Sequence, residues 1–595
     1  MRRHFRLITR QLRARGVTAN NGGPSLLAVW LVLLSHTAAW AAESGRSLQR
    51  TPVEATRAYE AARTQRKTNS PPALPVSHND SLSPPTPGGP SFTLEAIDVT
   101  GANAIPHEDI SAAYQAYIGT SVTRADLVAI AGTITAQYRD AGFSLSRAIV
   151  PAQDIKDGRV RVEVLEGYIE EVVLEGSGVE DFGAREVLAV LKEERPVRQS
   201  TFERQLLLVN DTPGVRVADT AIEEQGEATG RFRLVVTLES WHLYLGAGLD
   251  NLGTPAVGRL QGYLAPAVNS VTLAGDTLGL TLSSVPDETK ELRLGYVIYD
   301  APVGNNGSRI AASASYGEIW PGDQSRQDHN HTAVARYEIK GTVVPMRTRE
   351  TSNWVSLSGD VSDVRESDDG GPISDDHVRA LTLTADTELH DALRGSNYLT
   401  ALVRQGLNIF GASTHEDAFL SREDGTGEFS VAQMFYTRYQ NLSEQWSINF
   451  SAAGQLASTA LLASEEFYLG GPTFGRAYDS GEVSGENALA GSLEVRLDQA
   501  LENTFVLGYQ LYAFSDYGAV WDFRAGGDER LELASAGCGV RLFLPNDLQG
   551  GVELAVPLAG DPADSDAVRD LSIYFSLSQS FKACRGEGSA FCPRS

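Results

Sequence analysis

Asp328-His329-Asn330-His331 places two imidazoles at alternate positions, and imidazole is a common metal ligand. A stable metal centre needs further ligands, and none is evident beside them, so these read as solvated loop residues. Asp360, Asp363, Asp368, Asp369, Asp375 and Asp376 gather carboxylates as a calcium site does, yet they lack the spacing and the closing Glu of a calcium loop. A solvated acidic loop is expected there. No Gly-Lys-Ser/Thr phosphate cradle occurs, so nucleotide hydrolysis is not expected. Nor can a nucleophile, a base and an orienting residue be set together as a lipase or protease would require. The chain is therefore expected to carry no metal, no cofactor and no enzymatic activity. Of the cysteines, Cys538 lies in a strand-like segment, while Cys584 and Cys592 lie near the end. In an exported chain the last two can close a small disulfide loop or stay as unpaired thiols.

The elements that must position such residues are mostly strands. A formal net charge of −26 over 595 residues argues against nucleic acid as a partner. Residues 1–41 read as a secretory signal: a basic region from Met1 to Arg15, an apolar run from Leu26 to Leu34, and Ala39-Trp40-Ala41 as a small-x-small cleavage site. No later stretch approaches ~20 consecutive apolar residues, so a membrane span here would have to be built of strands. From about Trp241 to Phe581, short segments alternate apolar and polar residues. In the last of them Leu571, Ile573, Phe575, Leu577 and Phe581 share one face, and Ser572, Tyr574, Ser576, Ser578 and Ser580 the other.

A soluble sandwich alternates too, so this pattern alone leaves two folds open. The connections separate them. Long polar stretches at Trp320 to Asp328, Val364 to Asp376, Gly411 to Gly427, Leu469 to Glu486, Asp522 to Arg530 and Ala559 to Asp570 alternate, in the distal half, with short turns. The short turns are Asn441-Leu442-Ser443, Ala500 to Asn503 and Pro545-Asn546-Asp547. Long connections on one side and tight ones on the other are what a barrel crossing an outer membrane shows. The expected fold is mainly β, a 16-stranded transmembrane antiparallel β-barrel over residues 241–581. Alternation also assigns faces. Phe505, Leu507, Tyr509 and Leu511 form an apolar face, so Gln510, Tyr512 and Asp516 point into the lumen.

Ahead of the barrel, residues 42–68 contain a short amphipathic helix within Pro52 to Lys67, and residues 69–91 form a Pro-rich linker. Residues 92–167 read strand, helix, helix, strand, strand: the helices fall at Asp109 to Tyr117 and Arg124 to Ala141, the closing strands at Ser146 to Val150 and Arg159 to Leu165. Residues 168–240 repeat the plan, giving two copies of one α+β module. Residues 582–595 form a tail beyond the last strand.

This order of parts resembles the two-partner secretion transporters of the bacterial outer membrane, relatives of the barrel assembly factors. Leu249-Asp250-Asn251-Leu252-Gly253 is similar to the family's Asp-Asn-x-Gly element, and Val403-Arg404-Gln405-Gly406-Leu407 to its Arg-x-Gly-Leu segment. Leu469-Gly470-Gly471-Pro472-Thr473-Phe474-Gly475-Arg476-Ala477-Tyr478 matches the loop that in the family folds into the lumen, where an Arg of an Arg-Gly-Tyr/Phe motif reaches an Asp of the barrel wall. Arg476 and Tyr478 fit that motif, while Ala477 stands where the family has Gly, a change that bears on the backbone because Ala resists positive φ. The resemblance implies that Arg476 pairs with Asp516, although a lumen carboxylate is also what any porin would show. It further implies that the modules are periplasmic POTRA domains that receive an unfolded secreted exoprotein, expected to be large and β-helical. The helix and the Leu469 to Glu486 loop would obstruct the resting lumen. Outer-membrane lipid is the second expected partner, and the barrel assembly machinery, reading Phe581 as a C-terminal aromatic signal, is the third. An assembly factor that inserts other barrels is the alternative; such relatives usually carry more modules and lack the plug-like helix and linker.

Overall fold

The computed structural model describes residues 90–583 apart from 177, 324–325, 327–328, 503–504, 523–529 and 560–570. The signal over residues 1–41, the 42–68 helix, nearly all of the 69–91 linker, and Cys584 and Cys592 lie outside the described residues.

Lipid offers no hydrogen bonds to a strand, so a sheet in a membrane must close on itself. Among the described residues sixteen strands do so, every neighbour antiparallel, and the first, Leu243–Asp250, pairs with both the second, Gln261–Asn269, and the last, Ser572–Ala583. Alternation sorts the side chains. On the last strand Ile573, Phe575 and Leu577 are exposed on the outer face, and on the Gly508–Trp521 strand Leu511 is exposed while Gln510, Tyr512 and Asp516 are buried. Connections after the ninth and eleventh strands run over residues 407–429 and 458–486, against 442–445 and 544–548 after the tenth and fourteenth.

Val364 to Asp376 departs from the expected loop. Strands Thr351–Asp368 and Gly371–His390 stay paired to a two-residue turn at Asp369-Gly370, with Val364 opposite Asp376. Beyond the hydrocarbon, water solvates both faces of a hairpin, so the ladder needs no apolar stripe; Arg365–Asp375 (2.8 Å) and His377–Asp363 (2.8 Å) brace it instead. The six aspartates thus do not share a loop. Asp360 points inward and is buried, Asp369 sits at the turn beside His329 (2.8 Å), and His331 begins a strand and stacks on Trp320 at 4.4 Å.

The described residues from 90 to 240 form a compact unit of their own. In residues 92–167, Arg159–Leu165 lies between Ala96–Thr100, parallel to it, and Arg147–Ile149, antiparallel. Helix Arg124–Asp140 starts on a capping box in which Thr123 and Asp126 exchange bonds; the Thr123 backbone N–H holds the Asp126 carboxyl below the usual range. The helix packs Leu127, Ile130, Ile134 and Tyr138 onto Val160, Val162 and Val164. Burial, and the Glu166 carboxylate 2.8 Å away, push the Tyr138 phenol up. The helix expected over Asp109 to Tyr117 breaks into His107–Ser111 and the 3₁₀ turn Gln115–Tyr117. The next copy has the same topology: Arg231–Ser240 between Tyr168–Glu175, parallel, and Val215–Glu224, antiparallel.

Candidate functional site

Four neighbouring strands turn polar side chains into the lumen by the same period-two rule: Ser492, Glu494 and Arg496 on Asn487–Ala500, Asp516 on Gly508–Trp521, Ser535 and Arg541 on Arg530–Phe543, and Glu553 on Gln549–Ala559. Into this wall folds the connection 458–486. Its short strands Phe467–Leu469 and Val483–Gly485 pair with each other, and the chain between them doubles back at Gly470 (φ +103), Gly471 (φ +83) and Gly475 (φ +93). Positive φ at those three positions is open to glycine and strained for residues with a Cβ. Ala477 keeps a negative φ, so the departure from the Arg-Gly-Tyr/Phe pattern costs nothing in backbone conformation.

Arg476 reaches the wall from this tip. Its Nε donates to one Asp516 oxygen and its Nη2 to the other, both at 3.0 Å, a bidentate pair. Nη1 donates to Glu494 (2.8 Å), and Nη2 also to Ser492 (3.0 Å). The backbone N–H of Arg476 adds a bond to Asp516 at 3.2 Å, and the Phe514 ring lies under the guanidinium, 3.4 Å from centroid to carbon. Arg476 is 6% exposed and Asp516 1%. Tyr478 turns its hydroxyl to the carbonyl of Ala559 (2.6 Å) and is packed with Phe474, Phe467 and Leu469 against Tyr512 and Phe514. Removing one partner from such a pair strands a charge where water is scarce, at a cost of ~3–5 kcal/mol.

Glu494 also accepts from Arg496 (2.6 Å) and Arg541 (2.8 Å), and Glu553 accepts from the Tyr512 hydroxyl (2.9 Å). Three guanidiniums therefore meet three carboxylates. The sequence singled out Arg476 and Asp516 but passed over Glu494, Glu553 and Arg541, which the inward parity of their strands would have flagged. Arg404 of the Arg-x-Gly-Leu segment has a second binding role: it clasps Asp360 (2.5 and 3.0 Å) on the wall and Glu465 (2.8 and 3.0 Å) at the entry to the same loop. Phe581 pairs with Leu245 of the first strand, and the strand continues past it to Ala583. These groups bind and hold; none of these contacts sets a nucleophile beside a base.

A closed sixteen-strand barrel with a loop folded into its lumen, preceded by an α+β module, is the architecture expected both of two-partner secretion transporters and of barrel assembly factors. The ShlB-type POTRA domain profile matches residues 92–167, and the profile described as haemolysin secretion/activation protein ShlB/FhaC/HecB matches residues 233–542, more than half the chain. The chain belongs to that family: it is an outer-membrane transporter of two-partner secretion, with its POTRA module in the periplasm. Heme/hemopexin transporter protein HuxB of Haemophilus influenzae strain Rd is 22% identical over 508 residues, covering 80% of this chain and 86% of HuxB. Outer membrane transporter CdiB of Escherichia coli is 26% identical over 183 residues, 30% of each chain. Two solved structures share the fold: CdiB from Escherichia coli (TM-score 0.71, 18% identity) and CdiB from Acinetobacter baumannii (TM-score 0.64, 16% identity), each matched over 91% of this chain and 100% of the other.

Proposed function

We propose that this transporter takes an unfolded, β-helical exoprotein from the periplasm and passes it through a lumen whose resting obstruction is the loop carrying Arg476. Its modules offer strand edges to which an extended client segment adds by main-chain hydrogen bonds, a mode that tolerates varied sequence. The helix within residues 42–68 serves as a second, removable plug. Folding of the client outside supplies the energy, and Phe581 carries the signal by which assembly machinery inserts the barrel. The bidentate Arg476–Asp516 contact carries this reading: it ties the 458–486 connection to the lumen wall, in the path a client would take. Arg476→Ala is expected to abolish client export while the barrel still assembles, seen as heat-modifiable migration on a gel. Normal export by that variant would overturn the assignment.

A further inference from the structure

The lumen loop is held at its feet as well as at its tip, and by the opposite arrangement of charge. Glu466 immediately precedes the entering strand Phe467–Leu469, and Glu486 immediately follows the leaving strand Val483–Gly485. Both meet one side chain, Arg422, on the neighbouring connection 407–429. Nη1 of Arg422 lies 2.7 Å from Glu466 and donates to Glu486 at 2.6 Å and to the carbonyl of Leu461 at 3.1 Å; Nη2 donates to Asp522 at 3.2 Å. Arg422, Glu466 and Glu486 are all buried. The two feet are tied further by Gln455, whose amide donates to the carbonyls of Glu465 (3.1 Å) and Glu486 (3.0 Å), and by Ser421, which accepts from the N–H of Ala463 (3.0 Å).

Asp522 follows the strand that carries Asp516 and has the same parity, six residues on, or about 20 Å along a strand. Tip and feet are thus anchored to one stretch of wall at well-separated levels. Beside Glu465, which Arg404 holds, the three carboxylates Glu466, Glu486 and Asp522 share the guanidinium of Arg422. Removing it takes away the charge they have in common and leaves their mutual repulsion in a site that screens poorly.

We propose that Arg422 is a positioning residue that hinges the loop: it keeps both feet seated when the tip is released, so the loop swings within the barrel instead of leaving it. The proposal rests on the reading of Arg476–Asp516 as the tip lock. Its test does not depend on export. With Cys538, Cys584 and Cys592 replaced by Ser, a single cysteine is placed at the foot (Val483→Cys) or the tip (Thr473→Cys) of the full-length protein in cells, and labelled with a membrane-impermeant maleimide. Arg476→Gln should raise tip labelling and leave the foot protected. Arg422→Gln should raise foot labelling by roughly tenfold, as for a local opening that has lost a buried charge partner, and Arg422→Lys, which keeps the charge, should restore protection. Combining Arg422→Gln with Arg476→Gln should raise bilayer conductance by more than the two single increments together. If Arg422→Gln does not assemble, Glu466→Gln with Glu486→Gln makes the same comparison. Foot labelling in Arg476→Gln equal to that of the combined variant, or a foot still protected in Arg422→Gln or in the Glu pair, overturns the hinge. Export by Arg476→Ala tests the tip lock separately.

Discussion

At the tip of the lumen loop the loop brings the cation and the wall the anions; at its feet the loop brings the anions, Glu466 and Glu486, and a neighbouring connection the cation. The tip is balanced, with Arg476, Arg496 and Arg541 among Asp516, Glu494 and Glu553. The feet are not, since Arg422 is shared by three carboxylates. Losing a cation therefore has different consequences. At the tip two other arginines remain among the acids, so loss of Arg476 is local; at the feet, loss of Arg422 changes the sign of the whole cluster's interactions.

That contrast is broken most severely by Gly470→Ala. Its φ of +103 is strained for Ala, and the added Cβ would collide with the Asp479 carbonyl oxygen, so the tip cannot fold back. Export should fall to background while assembled barrel is still recovered. Asp516→Asn comes next: it keeps the shape of the acceptor but removes the charge opposite Arg476, and a loss of ~3 kcal/mol at the lock should appear as increased Thr473→Cys labelling and reduced export. Glu494→Gln leaves three guanidiniums with fewer anions and should lower the midpoint of thermal unfolding in detergent, an effect of roughly 1–3 kcal/mol. A variant as stable as the parent would show that the balance at the tip is not a source of stability. The smallest effect is expected of Ala477→Gly. Because Ala477 already has a negative φ, restoring the family's Gly should cost at most about 0.5–1 kcal/mol through added backbone freedom, with export unchanged.

Much of this was legible in the residues. Period-two alternation placed the lipid-facing Ile573, Phe575 and Leu577 and the inward Asp516 before any fold was known, because a half-lipid, half-lumen strand leaves no other stable assignment. Connection length gave the orientation. It failed at Val364 to Asp376, where polarity read as a loop reflects a hairpin that has risen clear of the hydrocarbon and pairs through charge. Within the site, Arg476 and Asp516 came from a motif, but their neighbours did not. Parity tells that Glu494 faces the lumen; only the path of the loop tells that it meets Arg476. Arg422, on a connection without periodicity, had no local signal at all, since its carboxylate partners lie 44 to 100 residues further along the chain.

One further consequence follows from the seam between the first strand and the last. Asn251 bonds the backbone of Ile573 and Phe575, more than 320 residues distant, so the ring is completed only when the end of the polypeptide arrives. The tip depends on the same late arrival: Tyr478 leans on the carbonyl of Ala559, and the Ala477 carbonyl accepts from Ser572 of the final strand. The tip thus gains its full set of contacts only in a finished ring, so complete seating of the loop marks a barrel whose last strands are in place.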